Sequence, residues 1–384
     1  MKLNLKNTPE QVELIRAIGS RNETTSREAS EAFAAFLGPV VREVLMQAGT
    51  ASAVYTDAPY DEDDNPSYPL DLYYNEGENF ITVWSQNMAG GLPTSHVEGL
   101  SELKISTYRL DSAVSFNKRY ARRARLDVVS KAIERMANEV LIKQERNAWA
   151  VILKAAADAS TNTKNGGALQ HVFHTASGSG SAKSFELQDM NHLMMRVKRV
   201  NESYAGGTPV EPYSKGMTDL YLSTEKMGDI RAFAYQAIAV GNTTVAAHKG
   251  VTDLPDNIRS DIYRTAGLAE IYGTALHEMV EFGVGQKYNT LFDSMAGATT
   301  FKTYGGSGAE VFAATDEIAI GLDNSKGAFV RPIARNAESG STFVALPDNQ
   351  FATTRVDKAG FYGALEEGRV CLDARAVGGI IFKD

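Results

Sequence analysis

Between Lys118 and Ala159 the chain reads KRYARRARLDVVSKAIERMANEVLIKQERNAWAVILKAAADA. From Leu126 onward neither Pro nor Gly interrupts it, and Ala, Leu, Glu, Lys and Arg dominate. That predicts one helix of roughly 34 residues, about 50 Å long at 1.5 Å per residue, where an ordinary helix has about 11–12. Val129, Ile133, Met136 and Val140 repeat at helical spacing. Ala137, Leu141, Ala148, Ile152 and Ala155 carry the apolar surface one strip over. Arg135, Glu139 and Lys143 alternate in sign on another face. By itself this is a long core helix with a basic strap, Lys118, Arg119, Arg122, Arg123 and Arg125, in front of it.

Composition narrows the class. The 384 residues, 43% hydrophobic and 22% charged, suit a globular protein of two or three domains. A net charge of -8 argues against a dedicated nucleic-acid reader. Cys371 is the single cysteine, so no intrachain disulfide forms and a reducing compartment is expected. The N-terminus has no apolar signal core, and no run approaches the roughly 20 apolar residues of a membrane span. The expectation is a soluble protein made inside a cell, with no membrane partner.

Upstream of the strap, Thr8-Pro9-Glu10 starts one helix that Gly19 stops. A second, capped at Thr25 or Ser26, carries Phe33, Phe36, Val40 and Val44, and Pro39 should kink or split it. Residues 53–78 read as an extended, loop-rich segment with the acidic run Asp61, Glu62, Asp63 and Asp64. That run lacks the central Gly and terminal Glu of a calcium loop, so it reads as solvated or as facing a basic partner. Residues 79–117 read as a long hairpin, Phe80 to Ser85 alternating outward and Tyr108, Leu110, Val114 and Phe116 sharing a face on the return. Its tip, with Gly90, Gly91, Pro93, His96 and, toward the return, Lys104, exceeds the usual two to five residues. Such a protrusion is expected to reach across another subunit.

Downstream, Gly/Ser-rich stretches flank His171 and His174, an H-x-x-H pair without the acidic or thiol company of a metal site. Ser184 is expected to cap a helix lined by Leu187, Met190, Met194 and Val197, the methionines as core filler. From about residue 205 a mixed α/β domain begins: GMTDLYLS as a strand, Ser223 as a helix cap, and LAEIYGTALHEMVEF as a strand bent at its Gly. Ser223-Thr224-Glu225-Lys226 matches S-x-x-K, but the companion motifs of that nucleophile are missing. His277-Glu278 does not begin H-E-x-x-H, and TYGGSGAEV is not a dinucleotide loop. The last 55 or so residues read as strands that need the surface along the long helix as their host. No catalytic, metal or cofactor site emerges.

This order of elements resembles the major capsid protein of tailed bacteriophages, whose shell fold is shared by encapsulins. The resemblance rests on the helical arm, the hairpin with a Gly-rich tip, the basic strap before a long helix, DLYLSTEKMGDIRAF, the IYGT strand and the closing FYGALEEGRVCLDARAVGGIIF. It implies an α+β phage major capsid fold: an N-terminal arm (1–52), an acidic extended segment and extended loop (53–117), a peripheral domain with the spine helix (118–204), a mixed α/β axial domain (205–330), and C-terminal strands returning to the peripheral domain (331–384). It implies self-assembly into hexamers and pentamers of an icosahedral shell around double-stranded DNA, contacted without sequence preference. The location would be the virion, the synthesis host-cytoplasmic, and the partners a portal, a cement or decoration protein, and a separate scaffold. One family member crosslinks through an extended-loop Lys. Lys104 stands in a comparable segment, but no Asn or acidic partner matches, so no such role is carried over.

The strap then has three readings: contact with DNA on an inner wall, pairing with a neighbour's acidic segment such as Asp61–Asp64, or simple solvation. Candidate inter-subunit contacts are Asp61, Glu62, Asp63, Asp64, Gly90, Gly91, Pro93, His96, Lys104, Lys118, Arg119, Arg122, Arg123 and Arg125. The rivals are an encapsulin shell, disfavoured by chain length and the larger arm, and a soluble α+β enzyme, for which no convergent polar constellation exists.

Overall fold

A computed structural model of the chain describes residues 9–20, 22–47, 50–61, 66–69, 102–123, 126–159, 171–175, 184–202, 216–232, 238–240, 250–252, 260, 270–303, 308–335, 343–347 and 358–383. Helices α1 (Pro9–Ile18) and α2 (Glu23–Gln47) lead into strands β1 (Thr56–Asp61), β2 (Ser67–Pro69), β3 (Glu102–Lys104) and β4 (Tyr108–Asn117). The short α3 (Lys118–Arg122) and the long α4 (Leu126–Ala159) follow, then β5 (Val172–His174), α5 (Leu187–Glu202), β6 (Asp219–Leu222) and α6 (Thr224–Ala232). Next come β7 (Ile238–Val240), β8 (Gly250–Thr252), β9 (Glu270–Ile271), β10 (Thr274–Glu278), α7 (Lys287–Ala296), β11 (Thr300–Lys302), β12 (Ala309–Val311) and β13 (Glu317–Leu322). The chain closes on β14 (Phe329–Arg335), β15 (Val344–Pro347), β16 (Lys358–Glu367), β17 (Val370–Cys371) and β18 (Val377–Phe382).

These elements form two compact units. The first gathers the described residues up to Pro69, those from Glu102 to Trp149, and those from Phe329 to Val370. Its sheet runs β1-β14-β16-β15, with β4 on the other edge of β16. β4 and β16 are antiparallel along their whole length, from Tyr108↔Glu367 to Asn117↔Lys358. The alternation read in β4 holds: Leu110, Val114 and Phe116 turn into the core while Arg109, Asp111, Ala113 and Ser115 face out. Across that core α4 presents Ile133, Met136, Ala137 and Val140 to Ile333, Phe343, Phe361 and Leu365. Of the closing strands, β14, β15 and β16 thus find their host against the long helix, while β18 does not; the side chain of Val129 lies outside the described residues. Ile15, Ile18 and Phe33 close the same core from α1 and α2, with the Phe33 and Phe361 rings 5.2 Å apart.

Three expectations change in this unit. The described partner of the return strand β4 is β16, and residues 79–85, expected as the outgoing strand, lie outside the described residues. β2 and β3 pair, Ser67↔Lys104 to Pro69↔Glu102, so a hairpin-like pairing begins before residue 79, where it was expected to start. A three-residue ladder ending in Pro carries too little periodicity to be read from sequence. Finally, α2 runs through Pro39 as one helix of 25 residues; one lost donor does not end it.

The second unit gathers described residues between Ala150 and Ala328 and from Cys371 onward. Its sheet runs β5-β18-β13-β6-β10-β9. β6 and β10 are parallel, and β13 is antiparallel to both β6 and β18. Met190, Leu193 and Val197 of α5 and Met227 and Ile230 of α6 bury against Leu220, Leu222, Ala319, Ile380 and Phe382. Glycine permits the close approach of α5: a Cβ on Gly378 would lie 2.7 Å from Val197 Cγ2.

Ser223 caps α6, its Oγ accepting from Lys226 N at 3.1 Å. Ser184 does not cap α5, which begins at Leu187. There Asp189 reaches back to accept from Glu186 N at 3.2 Å, the N3 half of a capping box. IYGT is not a bent strand but a hairpin. Tyr272 and Gly273, at φ 52° and 79°, form the two-residue turn between β9 and β10 whose twist suits paired strands. The closing segments are not a pair either: β16 joins the first sheet and β18 the second.

Candidate assembly surfaces

The strap folds as α3 because Asn117, in extended conformation, accepts from Arg119 N at 2.9 Å and starts a helical turn. Helical spacing then sorts its cations onto two faces. Lys118 and Arg122 turn to the N-terminal helices. Arg122 Nε donates to the Gly19 carbonyl at 2.6 Å, and Lys118 Nζ donates to Ser26 Oγ at 3.4 Å, which itself donates to Ile18 O at 2.7 Å. Ala121 is completely buried beside them. The contact tolerates nothing larger than glycine: a Cβ on Gly19 would stand 2.7 Å from Arg122 N. Arg119 and Arg123 are exposed, beside a Tyr120 that is 45% exposed, and neither makes an ion pair among the described residues. Arg125 lies outside the described residues.

Asp61 is exposed at the end of β1, opposite Arg335, and no ion pair joins it to the strap among the described residues. Glu62, Asp63, Asp64, Gly90, Gly91, Pro93 and His96 lie outside the described residues. Lys104 is exposed in β3, opposite Ser67. Four residues before Asp61, Asp57 holds Arg331 of β14: Oδ1 lies 2.7 Å from Nε, and Oδ2 accepts from the guanidinium at 2.8 Å.

Sequence reasoning missed a polar cluster in the core of the first unit. Glu367 is completely buried. It accepts from Gln144 Nε2 at 3.1 Å and from the Tyr108 hydroxyl at 2.8 Å, with the buried Arg369 guanidinium 3.4 Å away. Arg369 lies over the Tyr55 ring at 4.7 Å, and Tyr55 donates to Ala148 O of α4 at 2.9 Å. Burial, and then the charge of Glu367, push the Tyr108 hydroxyl up to about 12. This cluster fastens the sheet to the helix. A signal existed: Phe361, Gly363, Leu365 and Glu367 share one parity, so alternation places Glu367 with the core.

On the outward face of the same sheet, Asp111 accepts from Tyr362 at 2.5 Å and from Arg109 at 2.8 Å. The Tyr362 hydroxyl, then Arg109, hold the Asp111 carboxyl below its usual range. Leu346, 52% exposed, stands opposite Tyr362 in the ladder. Small residues surround them, Ala113 opposite Tyr362 and Ala364 two positions on. The described H-x-x-H residues are both buried: His171 Nδ1 meets Val377 O at 3.2 Å, and His174 enters the core.

No protein-family model matches the sequence and no curated protein matches it. Solved structures do resemble the fold. The capsid structure of cyanophage P-SCSP1u matches 87% of this chain and 88% of its own, at TM-score 0.51 and 14% identity. The mature capsid of bacteriophage PhiM1 matches 87% of each chain at TM-score 0.43 and 10% identity. An encapsulin complex from Synechococcus elongatus matches 85% of this chain and 84% of its own, at TM-score 0.38 and 10% identity. At such identity the likeness is one of architecture, and the cyanophage capsid carries it over nearly the whole chain. This chain has the α+β fold of a bacteriophage major capsid protein.

Proposed function

We propose that the chain is the major capsid protein of a tailed double-stranded DNA bacteriophage, a structural subunit and not an enzyme. It assembles as hexamers and pentamers into an icosahedral shell enclosing the genome, and resides in the virion after synthesis in the host cytoplasm. The observation that carries this reading is the match of 87% of the chain to a cyanophage capsid subunit. In this reading the first unit is the peripheral domain with α4 as its spine, the second is the axial domain, and the segment rooted at β2 and β3 is the extended loop.

Within that role Arg119, Tyr120 and Arg123 are the strap's outward contact, with a neighbour's acidic run from Asp61 to Asp64 as partner. Lys118 and Arg122 serve the subunit's own arm. Packaged DNA is met without sequence preference by a wall whose negative balance limits tight binding. Electron microscopy of the purified protein tests the proposal. Closed or polymorphic shells, or hexamer and pentamer rings, are the expected result. A monodisperse monomer under all assembly conditions overturns it, and enzyme cargo within shells redirects it to an encapsulin.

A further inference from the structure

His171 stands just before β5 and His174 ends it, yet of the two only His171 has a hydrogen-bond partner among the described residues. His171 meets a backbone carbonyl. His174 is 1% exposed, and among the described residues neither of its ring nitrogens makes a hydrogen bond. Its ring stands edge-on to Phe301 of β11, centroids 6.1 Å apart at 71°, and Phe301 in turn lies 5.9 Å from Phe292 of α7. It therefore packs as a neutral aromatic. Burying an imidazolium there would require a partner that is not in place.

The charges that face it come from three neighbouring segments. Glu310 of β12 is ion-paired with Lys383, which follows β18. Asp316, before β13, is buried and accepts from Ala313 N at 2.9 Å. The ring senses both carboxylates and the Lys383 ammonium, and the backbone of Glu310 weakly favours its charged form. Burial outweighs the carboxylates and holds the imidazole below its ordinary range. β5 itself is an edge strand of three residues, parallel to β18 and bridged once at His174↔Thr303. A group that dislikes charge thus sits on a short edge strand.

We propose that His174 is an acid-triggered release point for the β5 edge of the second unit. Once protonated, the ring is drawn to Glu310 and Asp316, competes with Lys383 for Glu310, and loosens β5 together with the β11–β12 hairpin. The sign follows from proton counting. The opened form binds the proton that the closed form resists, so opening becomes easier as pH falls through the histidine range. The device is independent of the shell reading, since it needs only the second unit.

Hydrogen exchange of the intact protein, corrected for intrinsic rates, tests it on peptides covering residues 171–175 and 300–311. From about pH 7 to about pH 5.5 the opening constant should rise by up to about tenfold per pH unit. His174→Phe, which keeps an aromatic ring but cannot charge, should flatten that response. An equal acid response in wild type and His174→Phe overturns the proposal. Should the variant fail to fold, the wild-type imidazole titration followed by NMR decides. Titration below the free-histidine value, coupled to loss of β5 protection, supports the device, and titration at or above that value overturns it.

Discussion

Gln144, on the sheet-facing side of α4, donates its side-chain amide to Glu367 at 3.1 Å, and both residues are buried. The bond joins the spine helix to the last long strand of the first sheet. It also belongs to a cluster in which one carboxylate serves an amide, a phenol and a guanidinium. Removing the carboxylate leaves Arg369, whose side chain is 4% exposed, as an uncompensated buried charge. Glu367→Ala should therefore cost about 3–5 kcal/mol, read as a fall in the denaturation midpoint. Glu367→Gln, which retains an acceptor, should cost less.

Alkaline pH should weaken the first unit through Tyr108. Its hydroxyl ionises at about 12 in the folded chain against 10.0 when free. Between those values the unfolded chain loses a proton that the folded chain keeps, so stability is full below about pH 10 and declines above it. The Cys371 thiol, in the second unit, is pushed up from 9.0 to about 12 by burial and adds a decline of its own from about pH 9. Unfolding of Tyr108→Phe followed across that range should show a shallower loss than wild type, with the thiol's share remaining.

The arm and the strap should behave as one contact. Gly19→Ala forces a methyl against Arg122 backbone and should cost about 1–3 kcal/mol, as overpacking does. Arg122→Ala removes the donor to the Gly19 carbonyl and should cost about 1 kcal/mol. Because the two changes act on the same atoms, the double variant should lose less than the sum. Limited proteolysis of α1 and α2 gives a second readout, with faster cleavage in each variant.

Charge reversal should separate the two faces of α3. Arg119→Glu with Arg123→Glu alters only exposed side chains and should leave the thermal midpoint of the subunit nearly unchanged. Shell yield by electron microscopy should fall. Normal yield would show that the outward face makes no contact that assembly requires.

How far the sequence reaches depends on the range of the interaction. The uninterrupted run from Leu126 fixed α4 to the residue, and parity fixed which side of β4 meets the core, because both are local periodicities. Ser223 was found by cap chemistry for the same reason. What escaped was pairing at a distance. Nothing near Tyr108 indicates that its ladder partner is Glu367, 259 positions away, and nothing near Ser67 points to Lys104. The strap shows both sides of this. Its five cations read as one basic patch. The turn begun by Asn117 divides them, and only the tertiary position of Gly19 and Ser26 reveals that two are already engaged.

The strand order also sets a timetable for synthesis. β4 waits for β16 to complete its ladder, and β18 enters between β5 and β13. Each sheet therefore lacks an interior strand until β16 or β18 has been made. At about 5–20 residues per second, the stretch from Asn117 to Glu367 keeps β4 without that partner for about 13–50 s. Neither unit completes its sheet before those strands emerge. A ribosome that stalls before β16 and β18 leaves both sheets open.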